Sequence, residues 1–397
     1  MSPLRSAAPF LAIVLMFPRP SQGQSERQLR LPPASAQLSE EFTSIGSVRE
    51  LSDGRVLITD PREGRVVAVD LKTGTVDLVG RKGQGPNEYG NAGPLIPIGA
   101  DSSLMVDFMG RRWLLFSGSS IVATLPPDTP IIKAVKTFAR GADGLGHVWI
   151  SVSPREFVQE TAKAGSIDFG PGDSDFVVRG NRASARLDTV TKVQVAVSRR
   201  TVTASAEGKF HGVSWARPPL ATGEEAALFA DGWFAVARLE PYRVDWIAPD
   251  GRVTRGRPLP VTTIKATGAE KEAYFARQAA SRTPRPGMPA MPDAMRREIN
   301  ALRDQFPEVF PPFTGIPIAG GDGNLWLRRP VSKDFPNYRY DVVDRRGQLI
   351  GVLALAKGER IVTVGKAAVY VAWKDEDDIE RLRRHPLPWH SPARDTP

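Results

Sequence analysis

The chain has 397 residues, of which 41% are hydrophobic and 24% charged, with a formal net charge of +9, 36 Gly, 35 Pro and no Cys. This composition excludes a disordered chain and a fibrous repeat, and the lack of Cys excludes disulfides, thiolate nucleophiles, thiolate metal sites and a lipoprotein anchor. The abundance of Gly and Pro favours a turn-rich, mainly β protein over a helical bundle.

The N-terminus has the three parts of a secretory signal peptide. Arg5 supplies the positive charge, residues 7–17 are an apolar segment too short to span a bilayer, and the sequence SQG at 21–23 offers small residues for cleavage before Gln24. We therefore expect residues 1–23 to be removed and the mature protein to be periplasmic or secreted. No later segment is long and apolar enough to cross a membrane, so we expect no membrane span.

Asp-Gly pairs recur along the rest of the chain at nearly even spacing. They begin at Asp53, Asp143, Asp231 and Asp322, each before a short apolar run. Successive pairs are separated by about two units of 45 residues, the length of a four-stranded propeller blade. The clearest unit contains the runs GRVLITD, GRVVAVDL and TVDLVG, which are rich in β-formers and bounded by turn residues.

Similar runs continue to the end of the chain. They are LMVDF and RRWLLFSG, HVWISV, WFAVARL and YRVDWIA, NLWLRRP and YDVVDRR, and finally RIVTVG and AVYVAW. These units predict an all-β fold, a six-bladed β-propeller over residues 24–390 with a tail at 391–397. Residues 153–223 are longer than one blade needs, which leaves a seventh blade open as an alternative. The last blade has only three predicted strands, so we expect the N-terminal segment, within Glu26–Leu31 or just after it, to supply the fourth.

Residues 267–307 lack the β pattern and predict a helical hairpin inserted between the fourth and fifth blades. Thr267 and Glu270 form a capping box that opens the first helix, and a Pro-rich turn follows it. The second helix has an apolar stripe of Met295, Ile299, Leu302 and Phe306. Because the hairpin links an outer strand to the next inner strand, we expect it beside or across the channel mouth, as a lid, a docking surface or a brace.

The link RKGQGPNEY at 81–89, followed by Pro94, an apolar strand, LMVDF and RRWLLFSG, resembles the NHL-repeat pattern. The run GRVLITDPREGRVVAVDLKTG in the first unit resembles it as well. As a whole the chain is similar to the exported six-bladed NHL-like propellers of bacteria, with Asn87 where that family usually has Gly. The resemblance implies that the second strand of each blade ends at the face where ligands usually bind.

Candidate ligand-binding residues lie at this predicted channel mouth. Asp60 and Asp107 end equivalent second strands, later blades place Ser151 or Arg near the same position, and the glycine-rich link adds positive charge. The full set is Asp60, Asp107, Arg238, Arg328, Arg81 and Lys82. Together they would form a polar ring suited to a small ligand. In the alternative interpretation, the two Asp residues bind only backbone N–H groups of the turns that follow them.

We expect a binding scaffold without catalytic activity, which takes a protein partner or a small ligand at this mouth and needs no cofactor. The alternative is a divalent-metal hydrolase or lactonase of the propeller type, in which Asp60 and Asp107 would contribute oxygen ligands to Ca²⁺. We expect no nucleic-acid binding, because the paired Arg residues are scattered rather than aligned in a stripe. We also expect the protein to be a monomer.

Other chemistries have little support in the sequence. The four His residues show no zinc-binding spacing. The sequence GVSWA at 212–216 matches the nucleophile motif G-x-S-x-G only in part and lacks its strand-to-helix context. Trp149, Trp326 and Tyr370 occupy matching places in three strands, where packing between blades is more common than a carbohydrate platform.

Overall fold

The computed structural model describes residues 26–85, 87–135, 139–154, 165–204, 210–280, 297, 301 and 304–389. The predicted signal peptide and the C-terminal tail lie outside these residues. Within them the chain forms a ring of six blades, together with one additional sheet and the helices α1 (Pro130–Val135) and α2 (Gly268–Ala280).

Each blade is a mainly antiparallel sheet whose strands follow one another outward from the centre of the ring. The N-terminal segment contains β1 (Gln28–Leu29) and β2 (Ala36–Gln37). Blade 1 contains β3 (Ser47–Glu50), β4 (Arg55–Asp60), β5 (Arg65–Asp70), β6 (Val76–Lys82) and β7 (Glu88–Tyr89). Blade 2 contains β8 (Leu95–Pro97), β9 (Ser102–Asp107), β10 (Arg112–Ser117) and β11 (Ser120–Leu125).

Blade 3 is interrupted by one strand that belongs to another sheet. The strands along this part of the chain are β12 (Gly141–Ala142), β13 (His147–Val152), β14 (Gly165–Phe169), β15 (Ser174–Asn181), β16 (Leu187–Gln194), β17 (Ser198–Ala204) and β18 (Phe210–Ala216). Blade 3 consists of β12, β13, β15 and β16, whereas β14, β17 and β18 form the separate three-stranded sheet. We call this sheet the upper sheet.

The last three blades complete the ring. Blade 4 contains β19 (Glu225–Leu228), β20 (Phe234–Leu239), β21 (Tyr242–Ile247) and β22 (Val253–Thr254). Blade 5 contains β23 (Ile318–Ala319), β24 (Leu325–Arg328), β25 (Arg339–Val343) and β26 (Leu349–Ala354). Blade 6 contains β27 (Glu359–Val364), β28 (Ala368–Lys374) and β29 (Glu380–Pro386).

The recurring Asp-Gly pairs mark the turns between the first and second strands of four blades. In blade 1 the Asp53 carboxylate accepts the backbone N–H of Arg55 at 2.9 Å, and Gly54 adopts a φ of 87°. Gly232 and Gly323 adopt φ values of 84° and 85° in the equivalent turns. This left-handed backbone region carries a steric penalty for residues with a Cβ, so Gly is favoured there.

Apolar side chains pack between the blades rather than within a single central core. Six clusters of buried side chains join blade 1 to 2, 2 to 3, 3 to 4, 4 to 5, 5 to 6 and 6 to 1. Trp149, Trp326 and Tyr370 are at most 3% exposed and belong to three of these clusters, as expected for packing between blades. No residue of the upper sheet belongs to any of the six clusters among the described side chains, so residues 153–223 do not hold a seventh blade.

The N-terminal segment closes the ring, as predicted. Strand β2 pairs antiparallel with β29 and becomes the outermost strand of blade 6, with Ala36 opposite Arg384. The pairing lies just after the range 26–31. Within that range β1 pairs in parallel with β26, as a fifth strand on blade 5. One segment therefore covers the outer edges of two neighbouring blades and leaves neither edge open to aggregation.

The order of the strands determines which loops share a face. In an antiparallel blade of four strands, the first strand begins, the second ends, the third begins and the fourth ends at the same face, which we call the upper face. All links between blades and all turns between second and third strands therefore lie on the upper face. The upper sheet is built from one such turn in blade 3 and from the link between blades 3 and 4.

Helix α2 also lies on the upper face. The Glu270 carboxylate accepts the backbone N–H of Lys333 at 2.9 Å, and the Arg277 side chain donates to the carbonyl of Val331 at 3.1 Å. Both acceptor and donor backbones belong to the turn between β24 and β25 of blade 5, which is an upper turn. Glu270 also donates its backbone N–H to the Thr267 hydroxyl at 3.3 Å, as in the predicted helix cap.

The second predicted helix lies mostly outside the described residues, and so do Met295, Ile299 and Leu302. Arg297 and Ala301 are described and have helical backbones. Phe306, the last residue of the predicted apolar stripe, is 8% exposed, and its ring packs edge-on against Tyr274 of α2 at 5.3 Å. Among the described parts of the chain, no helix is both long and apolar enough to span a bilayer.

Candidate functional site

Asp60 and Asp107 end the second strands of blades 1 and 2, and their side chains are fully buried. The Asp60 carboxylate accepts four backbone N–H groups at 2.8–3.3 Å, two from its own turn and two from the link that precedes blade 1. The Asp107 carboxylate accepts two backbone N–H groups at 3.1 Å and the Nε of Arg112 at 3.1 Å. Both side chains thus hold loops together: the N–H groups of the following turns agree with the alternative interpretation, whereas the partners in the preceding links and Arg112 go beyond it. Ligand binding by them stays a prediction.

Arg81 and Lys82 lie at the end of β6, at the upper edge of blade 1. Arg81 is 70% exposed and pairs with the Glu88 carboxylate at 3.0 Å. The backbone carbonyl of Glu88 in turn accepts a hydrogen bond from Arg112 at 2.8 Å. The glycine-rich link and the Asp107 turn are therefore joined through Arg112, and they brace blade 1 against blade 2.

Arg238 connects blades 3 and 4 at their upper ends. It pairs with Glu224 at 2.7 Å and with Asp245 at 3.1 Å, and it donates to the carbonyl of Lys192 in the outer strand of blade 3 at 2.8 Å. Arg328 ends β24, and its guanidinium lies 5.0 Å from the ring centre of Tyr338. Asp107 and Arg81 are connected through Arg112 and Glu88. No other contact between described residues joins the six predicted side chains, so each of the others binds groups of its own blade or of the next one.

A polar cluster at the upper ends of blades 3 and 4 was not predicted from the sequence. We call it the mouth cluster; it consists of Arg140, Ser151, Ser153, Asp175 and Glu225. Arg140 precedes the innermost strand of blade 3 and pairs with Glu225, which begins the innermost strand of blade 4, at 2.8 Å. The Ser151 hydroxyl donates to Asp175 at 2.9 Å. Because innermost strands surround the channel, Arg140 and Glu225 stand at its mouth.

Burial shifts the titration of both carboxyl groups in the mouth cluster. Loss of solvent raises the pKa of Asp175 above its usual value, and hydrogen bonds from Ser151 and Ser153 oppose that rise. Loss of solvent also raises the pKa of Glu225, and the Arg140 guanidinium opposes it. Carboxyl groups with raised pKa values beside a concave surface are common at functional sites and also occur in structural networks.

A cavity of about 710 Å³ lies between the upper sheet and the hairpin. The sheet contributes the polar and apolar side chains of Ser166, Asp168, Phe169, Val197, Ser198, Arg199 and Thr201, with Gly170 and Pro218 beside them. The hairpin contributes Arg297, Ala301 and Gln305. Arg297 and Ala301 have helical backbones, and Gln305 lies in the turn that follows. The cavity volume falls within the range of small-molecule sites, which is roughly 300–1,000 Å³.

The described part of the cavity lining contains three charged side chains, Asp168, Arg199 and Arg297. Arg199 binds the Asp168 carboxylate through two nitrogens, at 2.6 and 2.9 Å, so these two charges offset each other. Arg297 is exposed and forms no hydrogen bond or ion pair with the residues that the structure describes. Among the described lining residues, Arg297 and Ala301 therefore come from the hairpin, and the charged pair Asp168–Arg199 comes from the upper sheet.

Short segments connect the cavity to the mouth cluster. The chain passes from Gly170 in the cavity lining to Asp175 in the cluster, and from Pro218 in the lining to Glu225. The sequence did not predict the cavity, and of the mouth cluster it placed only Ser151 near the mouth, because residues 153–223 were interpreted as blade or irregular chain. One signal was available: two β-rich stretches in excess of a blade, around 165–169 and 198–216, which had to form a sheet of their own.

The sequence also led to predictions about a nucleophile motif and about metal binding. The sequence GVSWA lies within β18, an edge strand of the upper sheet, rather than at a strand-to-helix turn, which agrees with its rejection as a nucleophile motif. Among the described residues, no three His, Asp or Glu side chains are grouped so that they could hold a metal ion. The alternative of a Ca²⁺ site at Asp60 and Asp107 is not tested by this observation.

No protein-family model matches the chain, and no curated protein matches it. Solved structures with a similar fold include a calcium-binding protein, regucalcin, from Agrobacterium tumefaciens, with 9% identity over 90% of this chain and 96% of that one and a TM-score of 0.40. A member of the DUF4221 family from Bacteroides vulgatus has 10% identity over 91% and 99% of the two chains and a TM-score of 0.48.

A third similar structure is the virginiamycin B lyase of Staphylococcus aureus with quinupristin, with 10% identity over 87% of this chain and 98% of that one and a TM-score of 0.38. Identities this low concern the fold alone. The chain is a six-bladed β-propeller, an assignment that rests on its own six blades and on the six apolar clusters between them.

Proposed function

We propose that this propeller is a binding scaffold that takes a small ligand in the cavity between the upper sheet and the hairpin. The observation that carries the proposal is the cavity itself, about 710 Å³ in volume and lined by two separate insertions. Propellers need neither insertion to close their ring, because the six inter-blade clusters already bury the apolar faces of the blades. Insertions that border a partly apolar cleft over one face are suited to binding a ligand.

Export is part of the same proposal. The N-terminal sequence, with Arg5, its apolar segment and a cleavage position before Gln24, supports a periplasmic or secreted protein. The alternative function, a divalent-metal hydrolase, is favoured by no observation on the described residues. The carboxylates of Asp60 and Asp107 are engaged by backbone and Arg112 N–H groups. The divalent-metal hydrolase therefore stays a prediction.

The test uses N-phenyl-1-naphthylamine, an uncharged aromatic probe whose fluorescence rises in apolar surroundings. We expect saturable binding of one probe per chain. The variant Ala301→Trp places an indole into the cavity and should weaken binding by about tenfold or more, since the loss of one good apolar contact surface costs roughly 1.5–3 kcal/mol. Ala301 is exposed, so the protein should fold normally.

The matched control is Ala276→Trp. Ala276 is an exposed residue of α2 that does not line the cavity, so this variant adds the same side chain to a helix elsewhere on the hairpin. We expect it to bind the probe as the unaltered protein does. The proposal fails if the unaltered protein shows no saturable binding, or if the two Trp variants bind the probe equally well.

A further inference from the structure

The upper turns of blades 1 and 2 and the glycine-rich link between them carry exposed cations around one exposed apolar side chain. We call this surface the basic patch; it consists of Arg62, Arg81, Lys82, Met109 and Arg111. We propose that the basic patch binds the surface of an anionic lipid membrane, with Met109 entering the lipid interface and the cations contacting phosphate groups. None of these residues lines the cavity, so the inference is independent of the proposed function.

The first step is the continuity of the basic patch. Lys82, at the start of the link, lies against the turn that carries Arg62, because a Cβ placed on Gly64 would lie 2.9 Å from the Cβ of Lys82. Met109 lies against the other end of the link, because a Cβ placed on Gly90 would lie 2.4 Å from its Cβ. Only Gly permits such close approaches, and through them the link joins the two upper turns into one surface.

The second step is the availability of the cations. Arg62, Lys82 and Arg111 are exposed, and their side chains form no ion pair with the residues that the structure describes. Their neighbour Arg112, in contrast, is held by the Asp107 carboxylate at 3.1 Å. The three exposed cations are therefore available to phosphate groups, which attract Lys and Arg near an anionic membrane surface.

The third step concerns the carboxylates of the same turns and link. The two Asp residues that end the second strands are fully buried. Glu63 pairs with Arg65 at 2.6 Å, and Glu88 pairs with Arg81 at 3.0 Å. The acidic turn at 375–378 belongs to blade 6, and blade 1 separates it from blade 2. The acidic side chains of these segments therefore leave the three exposed cations without a partner.

The fourth step is the apolar tip of the blade 2 turn. Met109 is 78% exposed, and Phe108 beside it is 46% exposed. Neither residue belongs to the six apolar clusters between the blades among the described side chains. In the equivalent turn of blade 1, Arg62 takes the place of Met109. The fold therefore does not require an apolar side chain at this position, which leaves its use to a partner.

The shape of the tip selects the kind of partner. Small ligands bind in concave sites and peptides bind in grooves or along strand edges, whereas Met109 projects from a turn. A lipid interface adapts to a projecting apolar side chain, and anionic headgroups attract the cations around it. The two contributions act together, since neither a small apolar anchor nor a few cations alone gives stable binding to a membrane.

The first experiment measures cosedimentation of the full chain with lipid vesicles. We expect binding to vesicles with equal parts of phosphatidylglycerol and phosphatidylcholine, weaker binding at high salt, and none to pure phosphatidylcholine. Arg62→Gln and Lys82→Gln should each weaken partitioning about fivefold, the contribution of one cation near the surface. Met109→Ser should weaken it by about tenfold, because the apolar anchor is lost.

The matched controls lie on the opposite face of the ring. Lys72→Gln removes an exposed cation from the turn between β5 and β6, and Leu145→Ser removes a side chain that is 56% exposed from the turn between β12 and β13. Both variants should bind the anionic vesicles as the unaltered protein does. All five substitutions are at exposed positions, so the propeller should fold normally.

A second experiment reports where Met109 lies in the bound state. The chain has no Cys, so Met109→Cys and Leu145→Cys can each carry a single nitrobenzoxadiazole fluorophore. With anionic vesicles, the emission of the label at position 109 should rise and shift to the blue, as it does when water is excluded. The label at position 145 should show neither change.

Three results would overturn the inference. The first is a lack of binding of the unaltered protein to the anionic vesicles, and the second is equal binding of Met109→Ser, Lys82→Gln and the unaltered protein. The third is binding to poly-L-glutamate as strong as that to the vesicles and unchanged in Met109→Ser, which would assign the patch to an acidic polypeptide. None of these results affects probe binding in the cavity, which tests the proposed function separately.

Discussion

Arg329 offers the sharpest test of the energetics, because it joins three elements through a buried network. Its side chain is 4% exposed and pairs with Asp341, which is 1% exposed, at 2.7 Å. It also binds Glu26 of the N-terminal segment at 2.7 and 3.1 Å. The Tyr242 hydroxyl donates to the second oxygen of Asp341 at 2.6 Å.

The variant Arg329→Met removes the cation and leaves the Asp341 carboxylate buried with Tyr242 as its remaining donor. Breaking a buried pair in this way costs about 3–5 kcal/mol. At about 2.1 cal/mol/K per residue, the entropy of unfolding of a chain this long is roughly 0.8 kcal/mol/K, so Tm should fall by about 4–6 °C. Thermal unfolding followed by calorimetry at pH 8 measures this shift.

The cost should depend on pH in a definite direction. Burial raises the pKa of Asp341 above its unfolded value, and Arg329 opposes that rise. Without Arg329 the pKa of the folded state rises further, so the folded variant binds a proton that the unfolded chain has released. The variant therefore loses stability, relative to the unaltered protein, as pH rises above the folded-state pKa that Asp341 has in the unaltered protein, and its deficit should be smaller at pH 5 than at pH 8.

Two comparisons make this result interpretable. Arg346→Met breaks an exposed pair with Asp344, in which the Arg is 79% exposed, and should cost no more than about 1 kcal/mol. The double variant Arg329→Met with Asp341→Asn should recover part of the loss, since no buried carboxylate remains. The reasoning is refuted if Arg329→Met costs less than about 1 kcal/mol, or if its cost is the same at pH 5 and pH 8.

Two other predictions concern the mouth cluster and the closure of the ring. Asp175→Asn removes a carboxyl whose pKa is raised by burial. A raised folded-state pKa means that ionised Asp175 destabilises the fold above its unfolded pKa, so the variant should gain stability relative to the unaltered protein as pH rises from 4 to 8 in urea titrations; a loss over this range would contradict it. Leu38→Ala should cost about 2–5 kcal/mol, since Leu38 is 3% exposed between the closing segment and blades 1 and 6. Measured by the same titrations, a cost under about 1 kcal/mol would mean that the closing segment adds little stability.

Much of the fold could be predicted because it repeats. The turn at Asp53 and Gly54 is set by neighbours two residues apart; the same hydrogen bond recurs at Asp322, and the left-handed Gly recurs at Gly232 and Gly323. Runs such as GRVLITD are rich in β-branched residues, which favour a strand, and their apolar side chains pack against the neighbouring blades. This holds at every position in the ring, so the pattern can be recognised in each blade. The need for a closing strand also followed from counting, because a three-stranded last blade exposes an edge.

The candidate site could be predicted only in part. Asp60 and Asp107 were correctly placed at the ends of second strands, yet their partners are backbone groups that no residue type marks in advance. The mouth cluster unites Arg140 with Glu225 and Ser151 with Asp175, pairs separated along the chain by one blade or by an insertion. Periodicity gives no signal for such pairs, because they occur once.

The sequence by itself therefore determined the class of fold and the turns that separate the strands, and it limited the number of blades to six or seven. Those features depend on local backbone preference and on a repeated apolar pattern, both of which can be read within a window of one blade. Only the tertiary structure decided that the six blades close without a seventh, that the upper sheet and α2 lie over one face, and that Arg297, Asp168 and Arg199 line one cavity. The reason is physical: the paths of long links and the partners of single charged side chains depend on contacts between segments that are distant in the chain.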